Sequence, residues 1–267
     1  MRAAEALGRL REGRPLVHHI TNYVSVGLVA NATLCAGALP VMAHAREEVA
    51  EMSGAAGALV LNIGTLDGRQ VESMLAAGAR ANERGIPVIL DPVGAGATGM
   101  RTRAAERLLS ELEISAVCGN AGEISTLAGL SAEVRGVESI GGDARTAALK
   151  AAEALRLTVA ATGEVDYVCG GGRMLAVENG HPLLGRVVGS GCASTAVIGC
   201  FAAAAGDAGP ETVAHALAYF GCAGEEAARN SEGPGTFEGR LLDALAALAA
   251  DPSRLSGRLR VRDAGAG

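Results

Sequence analysis

The sequence predicts an α/β fold built on a largely parallel sheet, and three observations point to it. Short, almost wholly apolar runs alternate with longer helical patterns through most of the 267 residues. The runs lack the alternation of a strand with one wet face, as expected for strands covered by helices on both sides. Polar residues of chemical interest follow directly after the runs, and in open parallel sheets ligands bind beyond the carboxyl ends of the strands.

The elements follow in chain order. Residues 1–15 alternate Arg and Glu with apolar positions and read as an amphipathic helix; they hold no uninterrupted apolar stretch, so a secretory signal is not expected. Strands are expected at 39–42, 58–62, 87–91, 115–118 and 158–162. Between them, 67–83, 101–112 and 143–155 place Ala and Leu on one side and Arg, Lys or Glu on the other, which is helical spacing. From residue 193 the chain reads as mainly helical, through 193–205, 210–229 and 237–249. The glycines at 170–172 and 141–142 read as hairpin or loop turns, and 254–262 as a last strand or a loose tail. With no internal repeat, one domain over 1–267 is expected, long enough to bury a sizeable core.

Composition narrows the function classes. Hydrophobic residues at 49% and charged residues at 19% describe a folding chain, not a disordered one. Aromatics are only 2% with no Trp, so Ala, Val, Leu and Gly must build the interior and let elements approach closely. A net charge of −6 without a basic stripe argues against nucleic acid and for a small-molecule substrate. The longest apolar run, 196–205, falls short of the roughly 18 residues of a membrane span, so no membrane association and a cytoplasmic location are expected. Six cysteines (35, 118, 169, 192, 200 and 222) include no C-x-x-C, and the histidines show no ligand spacing, which argues against zinc and against a disulfide framework.

Three short segments carry the chemistry. Gly189-Ser190-Gly191-Cys192 precedes a small apolar run and reads as a glycine turn opening a buried helix, where backbone N–H groups and the helix dipole suit a phosphate. Cys192 on that turn is expected to shift toward thiolate. The bland alternative is a helix that starts at glycine and buries a small Cys in its core. Residues 94–99 spell G-x-G-x-x-G, yet Asp91-Pro92-Val93 separates them from the strand, and a carboxylate there would repel a pyrophosphate. Asp91 at a strand end beside glycine turns fits a magnesium and polyphosphate site better. Asn120-Ala121-Gly122-Glu123 supplies a second carboxylate at another strand end, although alone it is an ordinary helix start with an acid in the first turn. No G-x-x-x-x-G-K-[ST] occurs, which excludes a P-loop enzyme.

Together the motifs resemble the hydroxyethylthiazole kinases of the ribokinase-like superfamily. The resemblance is carried by Pro15-Leu16-Val17-His18 with Ile20-Thr21-Asn22, Pro40-Val41-Met42-Ala43, Leu59-Val60-Leu61-Asn62-Ile63-Gly64-Thr65, Leu90-Asp91-Pro92-Val93-Gly94, Gly119-Asn120 with Glu123, Ala161-Thr162-Gly163, Asn179-Gly180-His181 and Gly189-x-Gly191-Cys192. It implies a three-layer α/β/α fold with a largely parallel central sheet. It also implies ATP-dependent phosphorylation of the side-chain hydroxyl of 4-methyl-5-(2-hydroxyethyl)thiazole, in thiamine salvage. By the same resemblance Cys192 is catalytic, where other ribokinase-like enzymes have an aspartate base. Met42 and Gly189 touch the thiazole with Asn22 nearby. Thr162, Asn120, Gly191 and residue 118 serve the nucleotide, and Asp91 and Glu123 hold Mg²⁺, through water. A homotrimer with active sites between subunits is implied as well. One departure is Cys118, where the family commonly has Arg; a thiol cannot replace a guanidinium fork. Three other readings compete: another vitamin kinase of the hydroxymethylpyrimidine type, a cysteine-nucleophile acyl transferase using Cys192 with His181, and a nucleotide-binding sensor without catalysis.

Overall fold

The computed structural model describes residues 1–130 and 143–265, together with the backbone of 133–135 and 138–140. In chain order the elements are α1 (Ala3–Gly13), β1 (Leu16–Ile20), α2 (Val26–Cys35), β2 (Leu39–Val41), α3 (Val49–Ala55), β3 (Ala58–Asn62), α4 (Gly68–Glu83), β4 (Val88–Asp91), α5 (Gly99–Glu111), β5 (Ala116–Asn120) and α6 (Ala121–Leu127). There follow β6 (Glu133–Arg135), β7 (Glu138–Ile140), α7 (Ala144–Leu155), β8 (Thr158–Thr162), β9 (Asp166–Gly170), β10 (Arg173–Val177), α8 (Ser190–Ala205), α9 (Pro210–Arg229), α10 (Pro234–Ala250) and β11 (Val261–Asp263).

Nine strands form one sheet in the order β11-β10-β9-β8-β5-β4-β3-β1-β2. Pairing is parallel from β2 through β8 and antiparallel from β8 to β11. β6 and β7 pair with each other outside it. Successive side chains of a strand point to opposite faces, and both faces here are covered. Along β3, Ala58 and Val60 enter the core shared with α1, α2, α8, α9 and α10, while Leu59 and Leu61 enter the core shared with α3 to α7. The result is the three-layer α/β/α arrangement, with the central strands β3 and β4 mainly apolar because neither of their faces meets water.

Low aromatic content shows directly as close approach. A Cβ on Gly199, midway along α8, would lie 2.5 Å from Val60 Cγ2, so this helix rests on the sheet at a distance only glycine permits. Gly171 and Gly172 have φ of 57° and 77° and join β9 to β10, as a two-residue hairpin loop with positive φ at both positions requires. The glycines at 141–142 lie outside the described residues. Of the two forms expected for 254–262, its end takes the strand form, β11, on the edge of the sheet.

β1 is a strand that apolar runs do not reveal, because His18 and His19 occupy its centre. Both are fully buried. His18 contacts Ser53 Oγ and Ala43 O, each at 2.8 Å, and His19 Nε2 lies 3.1 Å from Thr33 Oγ1. Burial holds both imidazoles below their ordinary range, His19 at about 3, so they behave as neutral core groups. Among the described residues no helix is long and apolar enough to cross a membrane.

Candidate active site

Ladder register brings four of the sequence's polar strand ends side by side. Asn62 at the end of β3 pairs with Asp91 at the end of β4. Asn120 at the end of β5 likewise pairs with Thr162 at the end of β8. Over these ends sits the first turn of α8, which begins at Ser190, earlier than the expected residue 193, with Gly189 as its cap at φ 87°. A Cβ on Gly189 would lie 2.5 Å from Ser25 Cβ, so handedness and crowding both require glycine. No side chain caps the helix, which leaves its first-turn amides suited to an anion.

Cys192, half-buried on that turn, faces a polar cluster. Its Sγ accepts from Asn62 Nδ2 at 3.2 Å and from Asn22 Nδ2 at 3.4 Å. Asn62 Nδ2 also donates to Asp91 Oδ2 at 2.6 Å. Asn22 Oδ1 in turn accepts from the Ser25 amide and hydroxyl at 2.9 and 3.0 Å. The sequence-predicted Asn22, Asp91 and Cys192 are thus brought together through Asn62, which the sequence marks as a polar strand end without assigning it a role.

The expected drift of Cys192 toward thiolate is overturned. Burial, seconded by the nearby Asp91 carboxylate, pushes the thiol up to about 12, against the helix dipole and the amide donors. Asp91, 4% exposed, is pushed up to about 8 by burial and then by Glu123. Glu123 rises too, burial outweighing the backbone N–H groups and Arg101 that favour its charged form.

Glu123 closes a capping box. Its Oε2 accepts from Asn120 N at 2.9 Å while Asn120 Oδ1 accepts from the amides of Gly122 and Glu123, both at 3.0 Å. Its Oε1 accepts from Gly94 N at 2.8 Å. The ordinary helix start and the strand-end carboxylate are therefore the same object. Two buried carboxylates raised by burial, with no ion pair to either among the described residues, form a site that a divalent cation would relieve. Among the described residues no group of three or more His, Cys, Asp or Glu could cage a metal. That donor set fits Mg²⁺, which takes one or two carboxylates and completes its shell with water and phosphate.

On the other side of the α8 turn lies a cavity of about 1010 Å³, lined by Thr162, Asp166, Gly191, Ser194, Leu217 and Phe220 among others. Thr162 and Gly191, both expected at the nucleotide, open onto it. Cys118 is not part of its lining: at 2% exposed it sits in the α8-side core near Thr195, its thiol pushed up by burial. Met42 is half-buried, and its carbonyl accepts from His44 Nδ1 at 3.0 Å, while His44 Nε2 accepts from Thr21 N at 3.1 Å. His44, unremarkable in the sequence, thereby ties the Met42 segment to the Thr21-Asn22 segment. His181, the base required by an acyl transferase, instead accepts from Leu183 N at 3.2 Å and caps the short turn Pro182–Arg186. Among the described residues the sulfur of Cys192 meets the amides of Asn22 and Asn62, with Ser25 and Asp91 beside it, and no histidine.

The family model described as the hydroxyethylthiazole kinase family matches residues 7–251. The chain belongs to that family. A hydroxyethylthiazole kinase of Rubrobacter xylanophilus is 88% identical over 267 residues, covering 100% of both chains. One of Methanocella arvoryzae is 58% identical over 247 residues, 92% of each. The solved structure of a hydroxyethylthiazole kinase from Pyrococcus horikoshii superposes with a TM-score of 0.87 at 43% identity, covering 98% of each chain. A ribokinase-like superfamily protein from Enterococcus faecalis, at 15% identity and a TM-score of 0.62 over 86% of each chain, shares the fold.

Proposed function

We propose that the chain is a single kinase domain that transfers the terminal phosphoryl group of ATP to the hydroxyl of 4-methyl-5-(2-hydroxyethyl)thiazole, in the cytoplasm, for thiamine synthesis. The observation that carries this reading is the position of the α8 turn. It stands between a nucleotide-sized cavity on one side and Cys192 with Asn22, Asn62 and Asp91 on the other. Phosphoryl transfer asks a protein for positioning and charge stabilisation more than for covalent chemistry. The amides of the turn take the transferring group, and Thr162 and Gly191 address the rest of the nucleotide. Met42, Gly189 and Asn22 hold the thiazole. The alcohol oxygen forms the new O–P bond as the bond to the ADP oxygen breaks, and Cys192 orients the hydroxyl while its proton passes to an oxygen of the transferred phosphoryl group. Mg²⁺, held by Asp91 and Glu123 through water, would neutralise charge developing on the phosphates.

A homotrimer with active sites between subunits belongs to the same reading. Tyr23, Val24, Leu34 and Val188 are 67%, 69%, 51% and 76% exposed, an unusual display for a chain so poor in aromatics. Val188 adjoins Gly189, which touches Ser25, so this apolar surface borders the acceptor side of the site. A coupled ADP-release assay with hydroxyethylthiazole against hydroxymethylpyrimidine tests the function. Turnover with the thiazole supports it; preference for the pyrimidine, or ATP binding without ADP release, overturns it.

A further inference from the structure

We propose that Asn62 is a positioning residue for the transfer, holding Cys192 in register with Asp91 on the acceptor side of the α8 turn. This deepens the functional reading above and rests on it for the reaction itself. Asn62 is 2% exposed, and an Asn side chain offers two N–H donors and two acceptor lone pairs. All four are used. Nδ2 donates to Asp91 Oδ2 at 2.6 Å and to Cys192 Sγ at 3.2 Å. Oδ1 accepts from Asn22 Nδ2 at 3.0 Å and from Gly64 N at 2.9 Å. The four partners come from β4, α8, the loop after β1 and the turn after β3, so the amide plane is fixed from four directions.

A donor fixed in this way cannot follow a displaced sulfur, and it therefore defines where the sulfur sits. Asn22 Nδ2 donates to the same sulfur at 3.4 Å. Two N–H groups then occupy sulfur lone pairs, and the single S–H must turn away from both amides. Asparagine is the residue type that does this: an aspartate of equal size keeps the two acceptor contacts and loses both donors.

A double-mutant cycle tests the proposal in the intact chain, with Asn62→Ala, Cys192→Ala and the pair. Asn62→Ala is expected to lower kcat about 100-fold, the scale of a misplaced reacting group, with the thiazole KM moved less than about threefold. In the Cys192→Ala background the same change should cost less than about threefold, because the group it positioned is gone. Equal losses in both backgrounds overturn the proposal. A second measurement needs no turnover and no cavity-forming variant: iodoacetamide labelling of Asn62→Asp, read peptide by peptide. The Cys192 labelling rate should move about tenfold from that of the parent chain, because the fixed amide no longer sets where the sulfur sits and how far it is exposed. Half-buried Cys35 serves as the internal reference. An unchanged Cys192 rate overturns the positioning role. Full turnover by Cys192→Ala would instead remove the thiol from the chemistry while the labelling result stood on its own.

Discussion

At Cys192 two effects oppose each other and their sizes decide the outcome. A helix N-terminus contributes about 0.3–1 kcal/mol to a nearby anion, less than one decade in an acid constant, while burial pushes this thiol up to about 12. The resting sulfur is a protonated thiol whose first task is orientation. Cys192→Ala is expected to lower kcat by about 10²- to 10⁴-fold, the usual contribution of a group placed at the moving proton, with the thiazole KM little changed. Cys192→Asp should retain activity, since a carboxylate fits the same position; steady-state ADP release checks both. Asp91 carries a stability consequence. Its folded pKa, about 8, lies above the ordinary 3.8, so the folded state binds the proton more tightly and stability falls as pH rises through that interval. Asp91→Asn should therefore raise the melting temperature of the metal-free protein, more at pH 8 than at pH 5, by about 2–4 °C per kcal/mol relieved, while ADP release falls. A melting temperature unchanged at both pH values would count against an ionised Asp91 as the source of strain.

At the scale of elements, α8 is decided by its two glycines. Gly199 lets the helix lie on β3, and Gly189 turns the chain into it against Ser25. Gly189→Ala must adopt φ near 87° and also meet Ser25 Cβ. The backbone strain alone costs about 1–2 kcal/mol, and relief comes only by moving the turn. A kcat reduced about 100-fold is expected, alongside a lowered melting temperature; measured kinetics close to the parent would mean that the turn is not where the phosphoryl group binds. β5 and α6 show the complementary case. The Asn120–Glu123 capping box starts the helix and, in the same contacts, sets a buried carboxylate at the strand ends beside Gly94.

At the scale of the whole molecule, the sheet order sets β3, β4, β5 and β8 with their carboxyl ends aligned, and α8 crosses above them. The edge carrying β2 and α2 is left apolar and exposed. Leu34→Glu with Val188→Glu should convert a trimer to smaller species in sedimentation and lower turnover, because the acceptor side borders that surface. A monomeric parent chain with full turnover would refute the shared site.

The sequence by itself determined the layered α/β class, the strands at 58–62 and 158–162, the hairpin glycines and most polar strand ends. These follow from local composition, since a doubly covered strand must be apolar and a tight loop must admit positive φ. Tertiary structure decided the rest. β1 was hidden by two histidines that are tolerable only because Ser53, Ala43 and Thr33 meet them in the core. Cys118 was turned into the core beneath α8 by strand facing, and the raised pKa of Cys192 comes first from burial and then from a carboxylate a hundred residues away in the chain. Burial and charge at one point in space depend on segments distant in sequence, and no local pattern encodes their sum.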